Sequence, residues 1–138
     1  MVDDKNTVAL LLVKADAKGK ILVCKEGLSF WGGVDPDTAQ IIDAHHPNYG
    51  ELIAGRIVMM SSSRGSCSGS GVLLQLARKG LAPAALIFCE SESILTLGAI
   101  ICDKLFDCPV PTVRVSRGLY KALSRVNEAE IKGLSIRL

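Results

Sequence analysis

The sequence predicts an α/β domain whose mostly β first half packs against β-α-β units. Up to residue 60, short apolar runs alternate with turn signals, as in a series of strands. From residue 69 onward, apolar residues recur at helical spacing, and helices alternate with short strands. The length of 138 residues corresponds to about one domain. Because no linker, repeat or low-complexity tract divides the chain, we expect residues 1–138 to form a single domain.

Three apolar runs in the first half predict strands. The first covers residues 8–13, and the turn signal Lys18-Gly19-Lys20 leads into a second at residues 21–24. Residues 28–38 contain too much glycine, proline and aspartate for regular structure. A third strand is expected within residues 53–60.

The first predicted helix begins at residue 69. One of its faces is apolar and consists of Val72, Leu73, Leu76 and Ala77. Arg78 and Lys79 lie near its C-terminus, where the helix dipole favours cations, and Gly80 is expected to end it.

Two further strands and two further helices follow. Strands are predicted at residues 84–88 and 108–113, and helices at residues 92–105 and 118–123. For the longer of these helices the predicted buried stripe consists of Ile94, Leu97, Ile101 and Leu105.

Composition excludes several classes of protein. Hydrophobic residues make up 49% and charged residues 22%, which excludes intrinsic disorder. A net charge of +2 and 4% aromatic residues argue against a nucleic-acid partner. No apolar run approaches the ~18 residues of a membrane helix, so no membrane association is expected. The mean hydropathy of +0.33 is high for a small soluble monomer, which indicates an apolar face for a partner protein.

Cysteine usage and the first residues indicate a cytoplasmic protein. The five cysteines are an odd number, most lie in apolar runs, and no Cys-x-x-Cys motif occurs. We therefore expect reduced thiols and no metal site in this chain. Residues 1–5 are acidic, whereas a secretory signal begins with basic residues.

The main candidate for chemistry is the serine- and glycine-rich stretch Ser61–Gly71, between a strand and a helix. Ser68 or Ser70 can cap the helix, and the free amides with the positive dipole end favour an anion. Arg64 adds a guanidinium suited to a carboxylate or phosphate. The stretch matches neither a Walker loop nor a dinucleotide fingerprint. The alternative is a serine-rich loop followed by an ordinary capped helix.

Other conspicuous residues have structural explanations. His45 and His46 are expected in a solvated turn before Pro47, because adjacent residues on a strand cannot share one metal. Glu90 and Glu92 precede a helix, where they compensate its dipole. Cys67 has no histidine nearby in sequence to activate it, so no nucleophilic role is assigned. The lone Trp31 could pack in the core or contact a partner.

Several segments together resemble one family, the small swivel-domain subunit of aconitase X. The similarity covers roughly residues 7–135 and is carried by Gly27–Pro36, His46-Pro47, Ala54-Gly55-Arg56, Arg64-Gly65-Ser66, Ala82-Pro83-Ala84-Ala85 and Leu95-Thr96-Leu97-Gly98. The resemblance implies a single swivelling β/β/α domain. It also implies a dehydratase whose large catalytic subunit binds an iron–sulfur cluster, with this chain closing over the active site.

Two substrates are implied by this resemblance, both small hydroxy acids. Members of the family dehydrate either cis-3-hydroxy-L-proline or mevalonate 5-phosphate. Residues 65–74 are similar to the bacterial loop form, which favours hydroxyproline and a pyrroline-2-carboxylate product. A phosphomevalonate dehydratase small subunit, or a non-catalytic anion-binding module, are the alternatives.

The resemblance also suggests site residues. Gly65-Ser66-Cys67 aligns with the start of the Gly-Ser-Ser-Arg-Glu loop of the aconitase superfamily, which places Ser66 at the catalytic base. The superfamily arginine corresponds to Ser68 here, so Arg64 is expected to replace it. Arg64, Gly65, Cys67 and Ser68 are thus the expected substrate-binding residues, and no residue of this chain is expected to bind metal or cofactor.

Overall fold

The computed structural model describes residues 8–138, so the prediction for residues 1–5 lies outside it. Seven strands and four helices lie within the described residues. They are β1 (Leu10–Val13), β2 (Ala17–Val23), α1 (Phe30–Gly33), β3 (Ile57–Met59), α2 (Gly69–Arg78), β4 (Ala85–Phe88), α3 (Ile94–Phe106), β5 (Thr112–Arg114), α4 (Arg117–Leu123), β6 (Glu128–Lys132) and β7 (Ser135–Arg137). The α/β prediction is confirmed.

The strands form one sheet in the order β1-β5-β4-β3-β2-β6-β7. The four central strands, β5, β4, β3 and β2, are parallel to one another. The outer strands β1, β6 and β7 are antiparallel to their neighbours. Helices α2 and α3 connect successive parallel strands, as β-α-β units require.

Both faces of the parallel strands are buried, because consecutive residues of a strand point to opposite sides. One face packs against α2 and α3 through Leu22, Val58, Leu86, Phe88, Leu73, Leu76 and Leu95. The other packs against α4 and β6 through Ile57, Met59, Ile87, Val113, Leu119, Leu123 and Ile131. The parallel strands therefore lie between a layer formed by α2 and α3 and a second layer formed by α4 and β6.

Strand β2 belongs to both halves of the curled sheet. Residues 17–20 pair with β6, whereas residues 21–23 pair with β3. A Cβ at Gly19 would lie only 2.9 Å from the Gly55 carbonyl oxygen, so glycine allows the close approach here. The predicted turn at Lys18–Lys20 is wrong: this segment continues the strand because β6 pairs with it.

The curl brings the two ends of the sheet together. The Val8 amide, just before β1, donates to the Leu134 carbonyl, just before β7, at 2.8 Å. Asp16 accepts from the Gly133 amide at 3.2 Å. Segments more than a hundred residues apart in sequence thus meet.

Several predicted bounds need correction. Strand β3 covers Ile57–Met59, which is shorter than the apolar run at residues 53–60. Strand β5 covers Thr112–Arg114 and is displaced towards the C-terminus from the predicted residues 108–113. Ile53 is nevertheless fully buried, and Val110 nearly so, because both contribute to the core without strand pairing. Apolar runs thus report burial more reliably than strand pairing.

The predicted buried face of α3 is wrong. Leu97 and Leu105 are 51% and 72% exposed, whereas Leu95, Ala99 and Cys102 are buried. Because α3 is apolar on more than one side, its periodicity alone does not select the stripe that packs. For α2 the prediction is confirmed, with Val72, Leu73 and Leu76 buried and Ala77 packed beside them. None of the helices within residues 8–138 has the length and apolar character to cross a membrane.

Candidate active site at the carboxyl edge of the sheet

The carboxyl ends of β2 to β5 meet at one edge of the sheet, because these strands are parallel. Ligands of open α/β sheets bind in the crevice beyond this edge. The segment Ser61–Ser68 leaves β3 here and leads into α2. It lies beside the Cys89–Ser93 segment that connects β4 to α3.

Ser66 lies on the exposed turn that begins α2. Its Oγ accepts a hydrogen bond from the Ser68 amide at 3.2 Å. Residues Arg64, Gly65, Cys67 and Ser68 are also exposed, so all five predicted site residues share one accessible turn. An N–H donor at the hydroxyl oxygen favours negative charge on that oxygen.

The predicted capping and free amides of α2 need correction. Ser68 occupies the N-cap position, but its side chain makes no capping hydrogen bond. Ser70 Oγ instead donates to the Cys67 carbonyl at 2.8 Å. The amides of Gly69, Ser70 and Gly71 donate to carbonyls three residues earlier. The tight turn before α2 therefore occupies first-turn donors that the sequence left available for an anion.

Arg64 is held only loosely. Its nearest carboxylate is that of Glu26, at 3.9 Å, and both side chains are largely exposed. An ion pair of this length and exposure contributes little to stability. The guanidinium can therefore reorient towards another anion without a large loss.

The segment Gly27–Gly33 forms one wall of the site. A Cβ at Gly27 would lie 2.8 Å from the Ser62 carbonyl oxygen, and one at Gly65 would lie 2.2 Å from Ser29 Oγ. Gly65 also has φ of +98°, a conformation that favours glycine. Close packing therefore requires both glycines, and the contact between Gly65 and Ser29 could not be predicted from the sequence. Trp31 is 61% exposed beside the start of α2, which excludes the core alternative for its side chain.

A serine strap, defined as Ser61–Ser63, forms the other attachment of this loop. The Ser61 carbonyl accepts from the amides of Cys89 and Glu90 at 3.3 and 3.0 Å. Ser62 Oγ donates to the Ser91 carbonyl at 2.9 Å, and Ser63 Oγ donates to the Glu92 carboxylate. These serines hold the loop in place. From the sequence alone they could not be told apart from serines that bind a ligand.

The prediction of a solvated turn is wrong for His46. Its side chain is buried, Nε2 donates to the Glu26 carbonyl at 3.1 Å, and Nδ1 accepts from the Asn48 amide at 3.0 Å. Asn48 in turn donates to the Val23 carbonyl at the end of β2. His46 therefore fastens the long connection between β2 and β3, whereas His45 is exposed as predicted.

A cavity of about 390 Å³ opens at the same sheet edge. It is lined by Ser61, Cys89, Arg117, Gly118, Tyr120 and Lys121. Arg117, one of the lining residues, forms an ion pair with Glu90 at 2.8 Å. Glu90 thus neutralises a cation. Glu92 accepts from the Leu95 and Thr96 amides in the first turn of α3, in line with the expected compensation of the helix dipole.

Comparison with known proteins identifies the family. The family model described as the aconitase X swivel domain matches residues 7–137. The chain belongs to that family. The predicted resemblance is confirmed, and with it the swivel-type α/β fold.

Solved and curated relatives agree with the assignment. The swivel domain superposes on Thermococcus kodakaraensis aconitase X, in its holo form, with a TM-score of 0.80 and 30% identity over 96% of each chain. It is 50% identical over 121 residues to the cis-3-hydroxy-L-proline dehydratase of Hypocrea jecorina, covering 88% of this chain. It is 41% identical over 122 residues to the phosphomevalonate dehydratase small subunit of Methanothermobacter thermautotrophicus, covering 88% of both chains.

The lengths of these relatives differ. The swivel domain spans about a fifth of the length of the hydroxyproline dehydratase of Hypocrea jecorina, at 20%. It spans 17% of the corresponding protein of Pseudomonas aeruginosa, to which it is 49% identical. In these proteins the matching segment is part of a much longer chain.

The described residues of the swivel domain do not fit an iron–sulfur cluster. The ligands of such a cluster are several cysteine thiolates that converge on one site. Residues 8–138 contain no group of three or more His, Cys, Asp or Glu side chains arranged to hold a metal ion.

Proposed function

We propose that this chain is the small subunit of an aconitase X-type hydro-lyase that dehydrates cis-3-hydroxy-L-proline. In this proposal residues 1–138 act as one cytoplasmic domain, and a large subunit holds the iron–sulfur cluster and the rest of the active site. The observation that carries the proposal is the exposed Ser66 turn at the carboxyl edge of the sheet. The 50% and 49% identity to proteins named as hydroxyproline dehydratases supports the substrate.

The reaction is a β-elimination in which Ser66 is the proton acceptor. In its ionised form, Ser66 Oγ takes the proton from the carbon that bears the carboxylate, and the electron pair of that C–H bond forms the new C=C bond. The bond from the adjacent carbon to its hydroxyl breaks with its electron pair. The resulting hydroxide takes up the abstracted proton and leaves as water, which returns Ser66 to its ionised form. The product is a pyrroline-2-carboxylate. The Ser68 amide, 3.2 Å from Ser66 Oγ, stabilises the charge on this oxygen.

The neighbours of Ser66 bind the substrate. Arg64 leaves its loose contact with Glu26 to pair with the substrate carboxylate. Gly65, Cys67 and Ser68 line the turn and approach the substrate through backbone groups, since Cys67 and Ser68 present short side chains. A bidentate guanidinium–carboxylate pair fixes the substrate so that its acidic proton faces Ser66.

A second substrate class is favoured by one observation. The 41% identity to a phosphomevalonate dehydratase small subunit covers 88% of both chains, a match in length that the hydroxyproline relatives do not give. Mevalonate 5-phosphate is therefore the alternative substrate. The Ser66 chemistry is the same for either molecule.

The test is an assay of the chain assembled with its large subunit, using both substrates. We expect turnover of cis-3-hydroxy-L-proline, and turnover of mevalonate 5-phosphate alone would reverse the choice.

Ser66→Ala should lower kcat by about 10²–10⁴-fold, the usual effect of losing a general base, with little change in KM. Cys67→Ser is the matched control and should stay within about threefold of wild type, because we assign its thiol no step in the reaction.

Circular dichroism and co-purification with the large subunit check that both variants fold and assemble. A Ser66→Ala enzyme with near wild-type kcat, or a Cys67→Ser enzyme that is the more impaired, would contradict the assignment of the base.

A further inference from the structure

The Ser66 loop is attached to a neighbouring helix through a single carboxylate. Ser63 Oγ, three residues before Ser66, donates a hydrogen bond to Glu92 Oε2. Glu92 lies beyond β4, at the end of the adjoining connection. The bond therefore joins two loops that sequence separates by 29 residues.

Glu92 itself is rigidly held by α3. Its Oε2 accepts from the Leu95 amide at 2.9 Å, and its Oε1 accepts from the Thr96 amide and Thr96 Oγ1 at 2.9 and 3.0 Å. These donors belong to the first turn of a 13-residue helix whose inner face is buried. The position of the carboxylate is thus fixed by α3, and Ser63, which donates to it, is held relative to α3.

The remainder of the serine strap is held by weaker partners. Ser62 donates to a neutral carbonyl, that of Ser91, and the Ser61 carbonyl accepts from two amides. A hydrogen bond to a charged group is roughly twice as strong as a neutral one. Of the side-chain bonds within the strap, the Ser63–Glu92 bond is also the one nearest to Ser66 in sequence.

We propose that Ser63 and Glu92 are positioning residues that fix Ser66 in its reactive placement, by anchoring its loop to the first turn of α3. This inference rests on the proposed function of Ser66. A misplacement of about 1 Å at a reacting group can lower the rate about 10²-fold, so a loop tether this close to the base matters for kcat. Neither residue touches the substrate.

The chain offers a matched pair of variants to test this role. Ser63→Ala and Thr96→Val each remove one hydroxyl that donates to the same carboxylate. Only Ser63→Ala detaches the loop, since Thr96 belongs to α3 itself. In the assembled enzyme, Ser63→Ala should lower kcat at least tenfold with KM within about twofold, and Ser63→Thr should restore it. Thr96→Val should keep kcat within about twofold of wild type.

A second measurement on the chain alone reports the tether without catalysis. The Glu90 amide, bonded to the Ser61 carbonyl, and the Arg64 amide, bonded to the Leu28 carbonyl, both cross from the loop to a neighbouring segment. In Ser63→Ala their hydrogen exchange should be at least about fivefold faster than in Thr96→Val. Equal exchange, or equal kcat, in the two variants would overturn the positioning role.

Failure of the proposed function has a different signature. An active Ser66→Ala enzyme would refute Ser66 as the base and, with it, the positioning role. An inactive Ser66→Ala enzyme together with indistinguishable Ser63→Ala and Thr96→Val enzymes would leave the base in place and refute only the tether.

Discussion

Ser63 and Ser66 have different surroundings within a single loop. Ser63 Oγ donates to the Glu92 carboxylate, whereas Ser66 lies on the exposed turn with its oxygen next to an amide. The serine- and glycine-rich pattern indicated the loop, and the family resemblance indicated Ser66. Neither could identify the strap, because its partners Cys89–Glu92 are close only in the folded chain.

His46 illustrates the same limit. Its ring is buried because the Glu26 carbonyl and the Asn48 amide satisfy both nitrogens. The first of these partners lies 20 residues away and has no side-chain signature in the sequence. A local pattern of His, Pro and Asn therefore suggests a solvated turn, and only tertiary contact reverses that interpretation.

Buried thiols make the stability of the chain sensitive to alkaline pH. Burial, followed by the charge of Glu51, raises the pKa of Cys24 from 9.0 to about 12. Between these values the unfolded chain loses a proton that the folded chain keeps. The free energy of unfolding therefore falls as pH rises from about 9 to about 12, and this contribution is fully present below about pH 9.

Urea denaturation across this range measures the effect, with Cys24→Ala as the comparison. The variant should be less stable near neutral pH because it leaves a cavity, yet its stability should decline less steeply above pH 9. Parallel declines for the two proteins would show that Cys24 does not titrate as argued.

At the scale of elements, the contact between α2 and α3 depends on one small residue. A Cβ at Gly98 would lie 2.9 Å from the Ser70 carbonyl oxygen and 3.1 Å from Ser70 Cα. This contact selects the stripe of α3 that packs, with Leu95 and Ala99 beside it. Periodicity could not predict it, because Leu97 and Ile101 suggest an equally apolar alternative face.

Two glycine-to-alanine changes should therefore have opposite effects. Gly71→Ala, in α2 with no atom within 4 Å of the new Cβ, should raise the free energy of unfolding by up to about 1 kcal/mol through helix propensity. Gly98→Ala should lower it by about 1–3 kcal/mol, since the helices must separate. Urea unfolding of both variants measures the two shifts, and a stabilised Gly98→Ala protein would refute the close contact.

At the scale of the whole molecule, α2, α3 and the strands they connect follow from alternating apolar runs. The β6–β7 hairpin does not. In its two strands apolar residues alternate with polar or charged ones, so neither strand forms an apolar run. Nothing in the sequence indicates that β6 pairs with residues 17–20 of β2. The fold class was therefore predictable, while the curl of the sheet was not.

We expect the purified chain, without the proposed large subunit, to bind no iron and to show no dehydratase activity. The physical reason is that the described residues bring no set of three or more metal-binding side chains together. Iron and acid-labile sulfide analysis tests this, with the assembled enzyme as the positive control. A stoichiometric cluster in the chain alone would contradict the proposed division between subunits.

The hydrogen bond between the Val8 amide and the Leu134 carbonyl has a consequence for covalent connection of this fold to other domains. Because backbone near both ends of the described segment lies side by side, a covalent connection at either end starts from the same corner of the sheet. When two parts are joined in this way, their association becomes intramolecular, with an effective concentration on the order of millimolar. The order of the strands in the sheet need not change. The geometry is therefore compatible with both arrangements among the relatives: a segment of a long polypeptide, and a chain of about the present length.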